Sequence, residues 1–346
     1  MTSQRLYWDC TDGHPFPEVY DQVAHNLLYA GFSVTQSQHF EAQRLQHSKE
    51  VGLQVLKDAW QSDYVFPVQH LGNCFRIIRE KLGPIATSSL SRKGMREMFA
   101  GQIIDVSPDG LHQFAAEVAV FGYQAVNHEI GLRADVSNIS RYVNLEIADC
   151  SELIGRENFK AQTLSIARAS AWAGPANACF IIDPENVLKL DSREFPPLQL
   201  DPLLFGFAVV SWEVNAEHIS ERFAENQKIL DLLIAGLSRF GDITIHTPRD
   251  PSLRASHLLS FSISQCDSEF AARLYDEQGV SVGSQSACLA NSGQPSDVLR
   301  ALGIDTAGHI RVSLPVNADV KDVDRFLSTT ELVVARVQDE KLFLAE

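Results

Sequence analysis

The feature that most limits the fold of this chain is a regular alternation of short β-rich runs with helical segments, which begins near residue 63. The runs are rich in β-branched and aromatic residues, and the stretches between them have apolar residues at helical spacing. The runs read YVFPV, PIATSS, QIIDVS, EVAVFGYQAV, YVNLEIAD, TLSIARA and ACFII. Such an alternation predicts an α/β fold with a mostly parallel sheet and helices on both faces, because parallel strands need crossover connections.

The chain is predicted to have three parts. They are an N-terminal arm (residues 1–13), a large α/β domain (14–240) and a smaller α+β domain (241–346). Residues 16–30 and 39–60 have apolar positions at helical spacing, which predicts amphipathic helices before the first strand. Residues 215–240 are predicted to form one long helix that ends at the boundary between the two domains.

The composition argues against several classes of function. The chain has 346 residues, 45% of them apolar, so it can bury a large core without disulfides or a metal. Its formal net charge of -15 would repel nucleic acid and anionic membranes, so neither is expected as a main partner. The most apolar stretch, PLLFGFAVVSW, is too short to span a bilayer, and no secretory leader is expected.

The cysteines point to a reducing compartment. All six are scattered along the chain, without C-x-x-C pairs or histidines at metal-ligand spacing. Neither a zinc site nor a disulfide framework is expected, and the interpretation that fits best is a cytoplasmic protein with reduced thiols.

Polar residues follow two of the predicted strands, where ligands bind in open α/β sheets. Asp149 follows the apolar run of IADCSELIGR, while Asn127 and Glu129 follow that of VNHEIG. An aspartate at such a place is more often a helix cap or turn residue than a ligand. His128 and Glu129 are either a general-base pair or, more often for such a pattern, ordinary satisfied polar residues.

Taken together, several segments resemble the cysteine desulfurases, enzymes of the class V aminotransferase fold that use pyridoxal phosphate. SVGSQSACLANSGQPSDVLRALG resembles their cysteine loop, with Cys288 at the position of the thiol that takes sulfur from the substrate. GHIRVSL resembles their closing strand, with Arg311 as the clamp for the substrate carboxylate. AVNHEIG and IADCSELIGR resemble the segments beside the cofactor's phenolic oxygen and pyridine nitrogen, which implies these roles for Asn127 and Asp149. YWDCTDGHPFPEVYDQV and SQHFEAQRLQHSKEVG resemble the N-terminal arm and first helices.

The resemblance implies fold type I of the PLP-dependent transferases, but the Schiff-base lysine of that family is missing here. The matching stretch reads SIARASAWAGPANACF, and the place of the lysine falls at Ala171, or at Ser170 if the register slips by one. Lys160 and Lys189 lie before the preceding strand and beyond the following one, so neither is expected to reach that place. A methyl group cannot form an imine with the cofactor aldehyde.

Other expected cofactor contacts depart from the family pattern too. FPVQHLGNCF stands where the family has a small-residue turn that binds the phosphate, and Pro67 removes one N–H donor there. Arg92 stands at the position of the histidine that stacks on the pyridine ring, and Glu152 at that of a glutamine beside the aspartate. Without a cofactor, Asp149 would need Arg168 or Arg156 as a partner.

Two main hypotheses follow from this pattern. In the preferred one the chain binds no cofactor and is a scaffold, partner subunit or sulfur relay, forming a homodimer or a heterodimer with a desulfurase or sulfur acceptor. Cys288 would then carry sulfane sulfur, although it could also be a relic, and Arg311 would hold an anion rather than simply face solvent. In the alternative the chain is an enzyme that binds pyridoxal phosphate non-covalently through Asp149 and Asn127 and acts on an amino acid, with Cys288 as sulfur acceptor and Arg311 as the carboxylate clamp. A third possibility is an ordinary desulfurase whose lysine is misplaced by this reading.

Overall fold

The structure is a computed structural model that describes residues 5–9, 40–107, 111–191, 200–284 and 296–344. Its strands are β1 (Leu6–Tyr7), β2 (Val65–Gln69), β3 (Ile85–Ser88), β4 (Ala100–Ile104), β5 (Val118–Gln124), β6 (Val143–Asp149), β7 (Leu164–Arg168), β8 (Ala178–Ile182), β9 (Ile243–Ile245), β10 (Leu258–Ile263), β11 (Val280–Ser281) and β12 (His309–Ser313). Its helices are α1 (Phe40–Trp60), α2 (Leu71–Leu82), α3 (Lys93–Phe99), α4 (Val136–Ile139), α5 (Pro202–Ala216), α6 (Ile219–Leu237), α7 (Ser268–Glu277), α8 (Asp297–Ala301) and α9 (Asp322–Leu344). Cys288 and the predicted helix at 16–30 lie outside the described residues.

The seven predicted runs form one sheet, with the strand order β2-β8-β7-β6-β5-β3-β4. The pairs between β7, β6, β5, β3 and β4 are all parallel, whereas β8 runs antiparallel to both of its neighbours, β2 and β7. The predicted α/β fold with a mostly parallel sheet is therefore confirmed. The carboxyl ends of six strands lie at one edge, together with the start of β8.

Alternation along the central strands puts apolar side chains on both faces of the sheet. In β6, Ile147 faces the core formed with α2 and α3, whereas Ala148 faces the core formed with α1 and α5. Aromatic rings dominate the second core, where Trp60 packs edge-on against Phe180 and Trp212 at centroid distances of 5.4 Å. The sheet is buried on both faces, which explains the nearly continuous apolar runs in its strands.

The apolar stretch at 202–212 lies in α5, which contacts α1 on the outer side of the aromatic core. Pro202 is its first residue, a position where the missing N–H removes no helical hydrogen bond. The single helix predicted for 215–240 is in fact two, because α5 ends at Ala216 and α6 begins at Ile219. Among the described residues, no helix has both the length and the apolar character needed to cross a membrane.

The C-terminal part of the described chain has a sheet of its own. Three antiparallel strands have the order β12-β10-β9, and one face packs with α6, α7 and α9 around Phe261 and Phe326. The N-terminal strand β1 pairs in parallel with β11 beside this unit. The division of the chain at 240 stays a prediction, although residues 243–313 supply all three strands of this second sheet.

Candidate functional site

Asp149 is the last residue of β6, and both oxygens of its carboxylate accept hydrogen bonds from other residues of the chain. Its Oδ2 accepts a hydrogen bond from Arg92 Nε at 2.8 Å, and its Oδ1 accepts from the backbone N–H and the hydroxyl of Ser151. The Asp149 side chain has no exposed surface and that of Arg92 is 15% exposed. The sequence analysis expected Arg168 or Arg156 in this role. Arg168 Nε donates to the carbonyl of Ala176 and Arg156 Nη1 to that of Leu314, so a role for either at Asp149 stays a prediction, whereas the ion pair with Arg92 is observed.

Arg92 reaches this carboxylate because of where α3 begins. The chain makes a turn after β3, in which the N–H of Ser91 donates to the carbonyl of Ser88 and the N–H of Leu90 donates to the Ser88 hydroxyl. Arg92 follows this turn and is the N-cap residue of α3. Asp149 lies on the same face of the sheet as Ile147, which is the face that α3 covers. The N-terminal residue of one helix therefore meets the end of a strand two positions away in the sheet.

A second carboxylate lies on the other side of Arg92. Glu152 Oε1 is 3.8 Å from Arg92 Nη2, and Glu152 Oε2 is 3.6 Å from Nε2 of the fully buried His257. Burial lowers the pKa of His257 to about 4, an effect that Arg156 reinforces and Glu152 partly offsets. Burial acts to raise the pKa of Glu152, but His257 and Arg92 outweigh it and the net shift is downward. At neutral pH the pair is therefore an anionic glutamate beside a neutral histidine.

Asn127 follows β5, and its amide is used within the protein. Its Nδ2 donates to the carbonyl of Leu90 at 2.9 Å, while its Oδ1 accepts from the N–H groups of Glu129 and Ile130. The side chain closes the turn after β5, much as an aspartate or asparagine caps a helix. Asn127 thus lies at the edge of the sheet where a cofactor contact was expected, but its side-chain amide forms hydrogen bonds with backbone groups.

Four arginines surround His128, beside Asn127. Burial lowers the pKa of His128 well below its ordinary value, and the positive charges lower it further. The arginines are Arg92, Arg311, Arg96 and Arg168. His128 Nδ1 lies 3.0 Å from Gln124 Oε1, and its Nε2 lies 3.5 Å from Glu129. At neutral pH His128 is therefore a neutral side chain near arginines, three of which are paired with carboxylates of the same chain.

Ala171 stands in a short 3-10 helix (Ala169–Trp172) directly after β7. It is 4% exposed and belongs to the aromatic core, with Trp60 and Trp172. Gly174, which follows, lies so close to Ala169 that an added Cβ would be 2.8 Å from the Ala169 methyl group. The backbone turn at the expected lysine position is therefore retained, but the side chain there is an apolar contact.

The two lysines considered in the sequence analysis lie away from Ala171. Lys160 precedes β7 and Lys189 follows β8, and because these strands are antiparallel both lysines lie at the opposite edge of the sheet. A five-residue strand spans about 16 Å, so each lysine is roughly that far from Ala171. Lys93 follows Arg92 at the near edge, but its side chain is 40% exposed and its Nζ lies 3.8 Å from Glu97.

The turn between β2 and α2 is the expected phosphate site. Pro67 pairs with Phe180 within the sheet, so it lies before the turn rather than in it. The N–H of His70 donates to the carbonyl of Asn177, and the N–H of Asn73 donates back to the carbonyl of His70. His70 has a positive φ of 69° and makes no side-chain cap. The N–H groups of His70 and Asn73, which a phosphate in this turn would need, therefore already donate hydrogen bonds to carbonyl groups of the chain.

Arg311 lies in the middle of β12 and is bound by a carboxylate of the same chain. Its Nη2 donates to Asp9 Oδ1 at 3.0 Å, and its side chain is 4% exposed. The backbone of Arg311 pairs in both directions with Gly283, where the described chain nears the segment that contains Cys288. At the far end of that segment Ser296 donates to Glu129 Oε2 at 2.6 Å. One flank of the segment is therefore attached to β12 of the C-terminal sheet and the other to the turn after β5 of the large sheet.

Comparisons with known proteins find similarity to cysteine desulfurases over part of the chain. The family model described as Aminotransferase class-V matches residues 205–326. The IscS-like cysteine desulfurase of Mycobacterium tuberculosis is 30% identical over 137 residues, which is 38% of this chain and 35% of that protein. A cysteine desulfurase of Gluconacetobacter diazotrophicus is 29% identical over 146 residues, covering 41% and 36%.

Solved structures extend the likeness to almost the whole chain. A NifS-like protein superposes with a TM-score of 0.82 over 96% of this chain and 100% of its own, at 18% identity. A NifS-like protein from Rickettsia africae gives 0.79 over 95% and 99%, at 15% identity. The chain has the fold of these NifS-like proteins, and its residues 205–326 are similar to the class V aminotransferases. The sequence matches to the two desulfurases above span only about a third of each relative's length.

Desulfurases and class V aminotransferases use pyridoxal phosphate, but the described side chains of this desulfurase-like chain do not fit that cofactor. An imine needs an amine where Ala171 lies, and the pyridine nitrogen needs the carboxylate that Arg92 already binds. The amide of Asn127 and two N–H groups of the β2–α2 turn are also engaged. Among the described residues no group of three or more metal-ligand side chains was found either.

Sequence reasoning missed three residues of this site. Arg92 was placed at the position of the histidine that stacks on the pyridine ring, but its ion pair with Asp149 was not predicted. No role was predicted for His257 or Asp9. Arg92 and Asp149 are 57 positions apart, and the strands that precede Arg92 and end at Asp149 are not neighbours in the sheet. The one available signal was the charge itself, since an arginine after a strand end needs a partner when it is buried.

Proposed function

We propose that this desulfurase-like chain has lost catalysis with pyridoxal phosphate and acts in the cytoplasm as a scaffold or partner subunit. The single observation that carries the proposal is the buried contact of Arg92 with Asp149. A guanidinium at 2.8 Å supplies the positive charge and hydrogen bond that the carboxylate would otherwise seek from a protonated pyridine. To bind there, the cofactor ring would have to displace a buried ion pair, without an imine to compensate.

The experiment is reductive trapping with pyridoxal phosphate. The purified chain is incubated with the cofactor, treated with borohydride and measured as an intact mass, with an active desulfurase in parallel. The expected result is no adduct above that of the unfolded chain, since surface lysines react to the same small extent in both. A stoichiometric adduct on one lysine of the folded chain would overturn the proposal and favour an ordinary desulfurase.

The alternative is an enzyme that binds the cofactor non-covalently, and what favours it is the likeness to cysteine desulfurases together with the retained Asp149 and Arg311. Equilibrium dialysis separates it from the scaffold. Saturable binding of pyridoxal phosphate by wild type, lost in Asp149→Asn, would support the enzyme. Binding that is weak and unchanged in this variant supports the scaffold.

Within the proposed function, Cys288 is the residue that would relay sulfur. Its thiolate would attack the terminal sulfur of a donor persulfide, forming a new S–S bond while the donor leaves as a thiolate. The test incubates wild type and Cys288→Ser with the persulfidated form of an active desulfurase and measures sulfane sulfur on the recipient. Cys266→Ser is the matched control. Equal transfer to all three proteins would rule the relay out.

The oligomeric part of the proposal is a homodimer, or a heterodimer with a desulfurase or sulfur acceptor. Sedimentation velocity of the chain alone and mixed with an active desulfurase tests it. A monomer in both samples at micromolar concentration would contradict the proposed assembly.

A further inference from the structure

The N-terminal segment of the described chain, residues 5–9, is fixed in place from both sides. Leu6 and Trp8 donate backbone hydrogen bonds to Gly279 and Ser281, and the N–H of Ser313 donates to the carbonyl of Trp8 at 2.7 Å. The Trp8 ring is 1% exposed and stacks on Phe326 at a centroid distance of 4.7 Å. This strand therefore presents the next residue, Asp9, at a defined place beside β12.

At that place Asp9 meets Arg311. Its Oδ1 accepts from Arg311 Nη2 at 3.0 Å. A Cβ at Gly283 would lie 2.9 Å from Arg311 Nη2 and 3.1 Å from Asp9 Oδ1, so the ion pair lies directly over this glycine. Gly283 is thus a residue whose missing side chain makes room for the pair.

The contact leaves the guanidinium incompletely bound. Arg311 Nε is buried and has no hydrogen-bond partner within the described parts of the chain. A guanidinium can bind a carboxylate through two parallel N–H groups, and Asp9 accepts from Nη2 while the neighbouring Nε makes no hydrogen bond within the described residues. A carboxylate approaching Arg311 edge-on would gain the second hydrogen bond.

The two partners also differ in how easily they can part. The Asp9 side chain is 38% exposed, so its carboxylate can turn into water, whereas that of Arg311 is 4% exposed and cannot. A buried arginine that loses its anion is costly, and another anion would be drawn to it. The pair would therefore open by movement of Asp9, with a carboxylate taking its place.

We infer that Asp9 is a built-in occupant of a carboxylate site at Arg311, so that the N-terminal strand blocks this site against small carboxylate ligands. The occupant and the site belong to one chain, and the local concentration of the Asp9 carboxylate is correspondingly high. The ligand class is a small molecule with one accessible carboxylate, such as an amino acid. The inference does not depend on whether pyridoxal phosphate binds.

The experiment measures binding of L-alanine by calorimetry, at constant ionic strength and without pyridoxal phosphate. The proteins are wild type, Asp9→Asn, Asp9→Ala and Asp9→Ala with Arg311→Met. Asp9→Ala should bind L-alanine at least about tenfold more tightly than wild type, since one charge-assisted hydrogen bond is worth about that factor. Asp9→Asn should fall between them, because an asparagine oxygen still accepts from Arg311 but carries no charge.

The chain offers a matched control for loosening of the N-terminal strand. Arg5, on the same segment, forms an ion pair with Asp276 of α7 that does not involve Arg311. Asp276→Asn should therefore leave L-alanine binding at the wild-type level. Hydrogen exchange of the 5–9 peptide reports whether each variant keeps the strand in place, and L-alaninamide, which lacks the carboxylate, should bind to none of them.

Several outcomes would overturn the inference. One is that Asp9→Ala binds L-alanine no better than wild type while its 5–9 peptide stays protected. Another is that the gain persists when Arg311 is methionine, or that Asp276→Asn shows the same gain. Equal binding of L-alaninamide would also contradict a carboxylate site. A failure of the proposed function would appear instead as a trapped cofactor adduct in wild type.

Discussion

Two regions of this molecule differ in how closely they resemble known sequences. Residues 65–182 form the seven-stranded sheet and provide Arg92, Asp149 and Ala171, whereas residues 205–326 include Arg311 and the Cys288 segment. The class V family model matches the second region and does not extend to the first. Yet the fold of both is retained, since the NifS-like structure superposes over 96% of the chain.

The comparison shows that the fold and the binding of a cofactor depend on different features of the sequence. Strand order depends on apolar patterning and crossover geometry, which many sequences satisfy at 18% identity. Cofactor binding depends on a few charged and amine groups, and in the sheet region the corresponding residues Asp149 and Ala171 make contacts within the chain. The two regions have one feature in common, since Asp149 and Arg311 each form an ion pair with a residue of the same chain.

The largest expected effect comes from breaking the ion pair in the sheet region. Arg92→Met should lower the free energy of unfolding by about 3–5 kcal/mol, because the buried Asp149 carboxylate loses its counter-ion. Urea denaturation measures the loss. Lys93→Met is the control, since its exposed pair with Glu97 is worth well under about 1 kcal/mol.

A second variant tests whether Arg92 acts through Asp149 at all. Asp149→Leu combined with Arg92→Met removes both charges and should recover most of the lost stability. If the double variant is as unstable as Arg92→Met alone, the loss has another cause, such as the end of α3. Arg92→Met with wild-type stability would show that the ion pair does not stabilise this region.

The next effect concerns the missing amine. Ala171→Lys places a charged chain in the aromatic core and should cost about 3 kcal/mol, against about 1–2 kcal/mol for the similarly sized Ala171→Met. It should not restore a Schiff base, because Asp149 stays bound to Arg92. Denaturation and borohydride trapping check both expectations. A trapped adduct on residue 171 would mean that the missing lysine is the sole defect.

Much of the fold could be predicted from the sequence, because its signals are local. The seven β-rich runs all became strands of one sheet, since alternating elements and apolar runs of that length leave few other architectures. The direction of β8 could not be predicted in this way, because side-chain patterning is the same for parallel and antiparallel strands. The break between α5 and α6 was missed for a related reason, since the apolar pattern continues across it.

The site was less predictable, because its contacts are not local. Asp149 and Arg311 were found by resemblance, and each was expected to meet a ligand. Their partners Arg92 and Asp9 are 57 and 302 residues away. No period or motif links such positions, and only the requirement that buried charges be paired indicates that partners exist.

The third prediction concerns the second region, through a buried histidine of its three-stranded sheet. His309 lies in β12, 2.8 Å from Ser260 Oγ, and burial lowers its pKa to about 3, with smaller effects from His246 and Arg311. The unfolded chain, with an ordinary pKa near 6.5, binds a proton first as the pH falls. Stability from this group is therefore complete above about pH 6.5 and declines below it.

The measurement is the difference in unfolding free energy between pH 7 and pH 5. For wild type, His309 should contribute about 2 kcal/mol of that difference, and His309→Asn should remove it. Val312→Ala, on the same buried strand, is the control, because it lowers stability by the same amount at both pH values. An unchanged difference in His309→Asn would mean that the histidine is already protonated, or exposed, in the folded chain.

The smallest expected effect lies where the two regions touch. Asp297, at the start of α8, accepts a hydrogen bond from Arg96 of α3 at 2.8 Å, but its side chain is 44% exposed. Asp297→Asn should therefore cost no more than about 1 kcal/mol by denaturation. The adjacent Ser296→Ala should cost more, because it removes both a helix cap and the buried hydrogen bond to Glu129. If the order of the two is reversed, the exposed ion pair and not the buried hydroxyl holds the C-terminal flank of the Cys288 segment to the sheet.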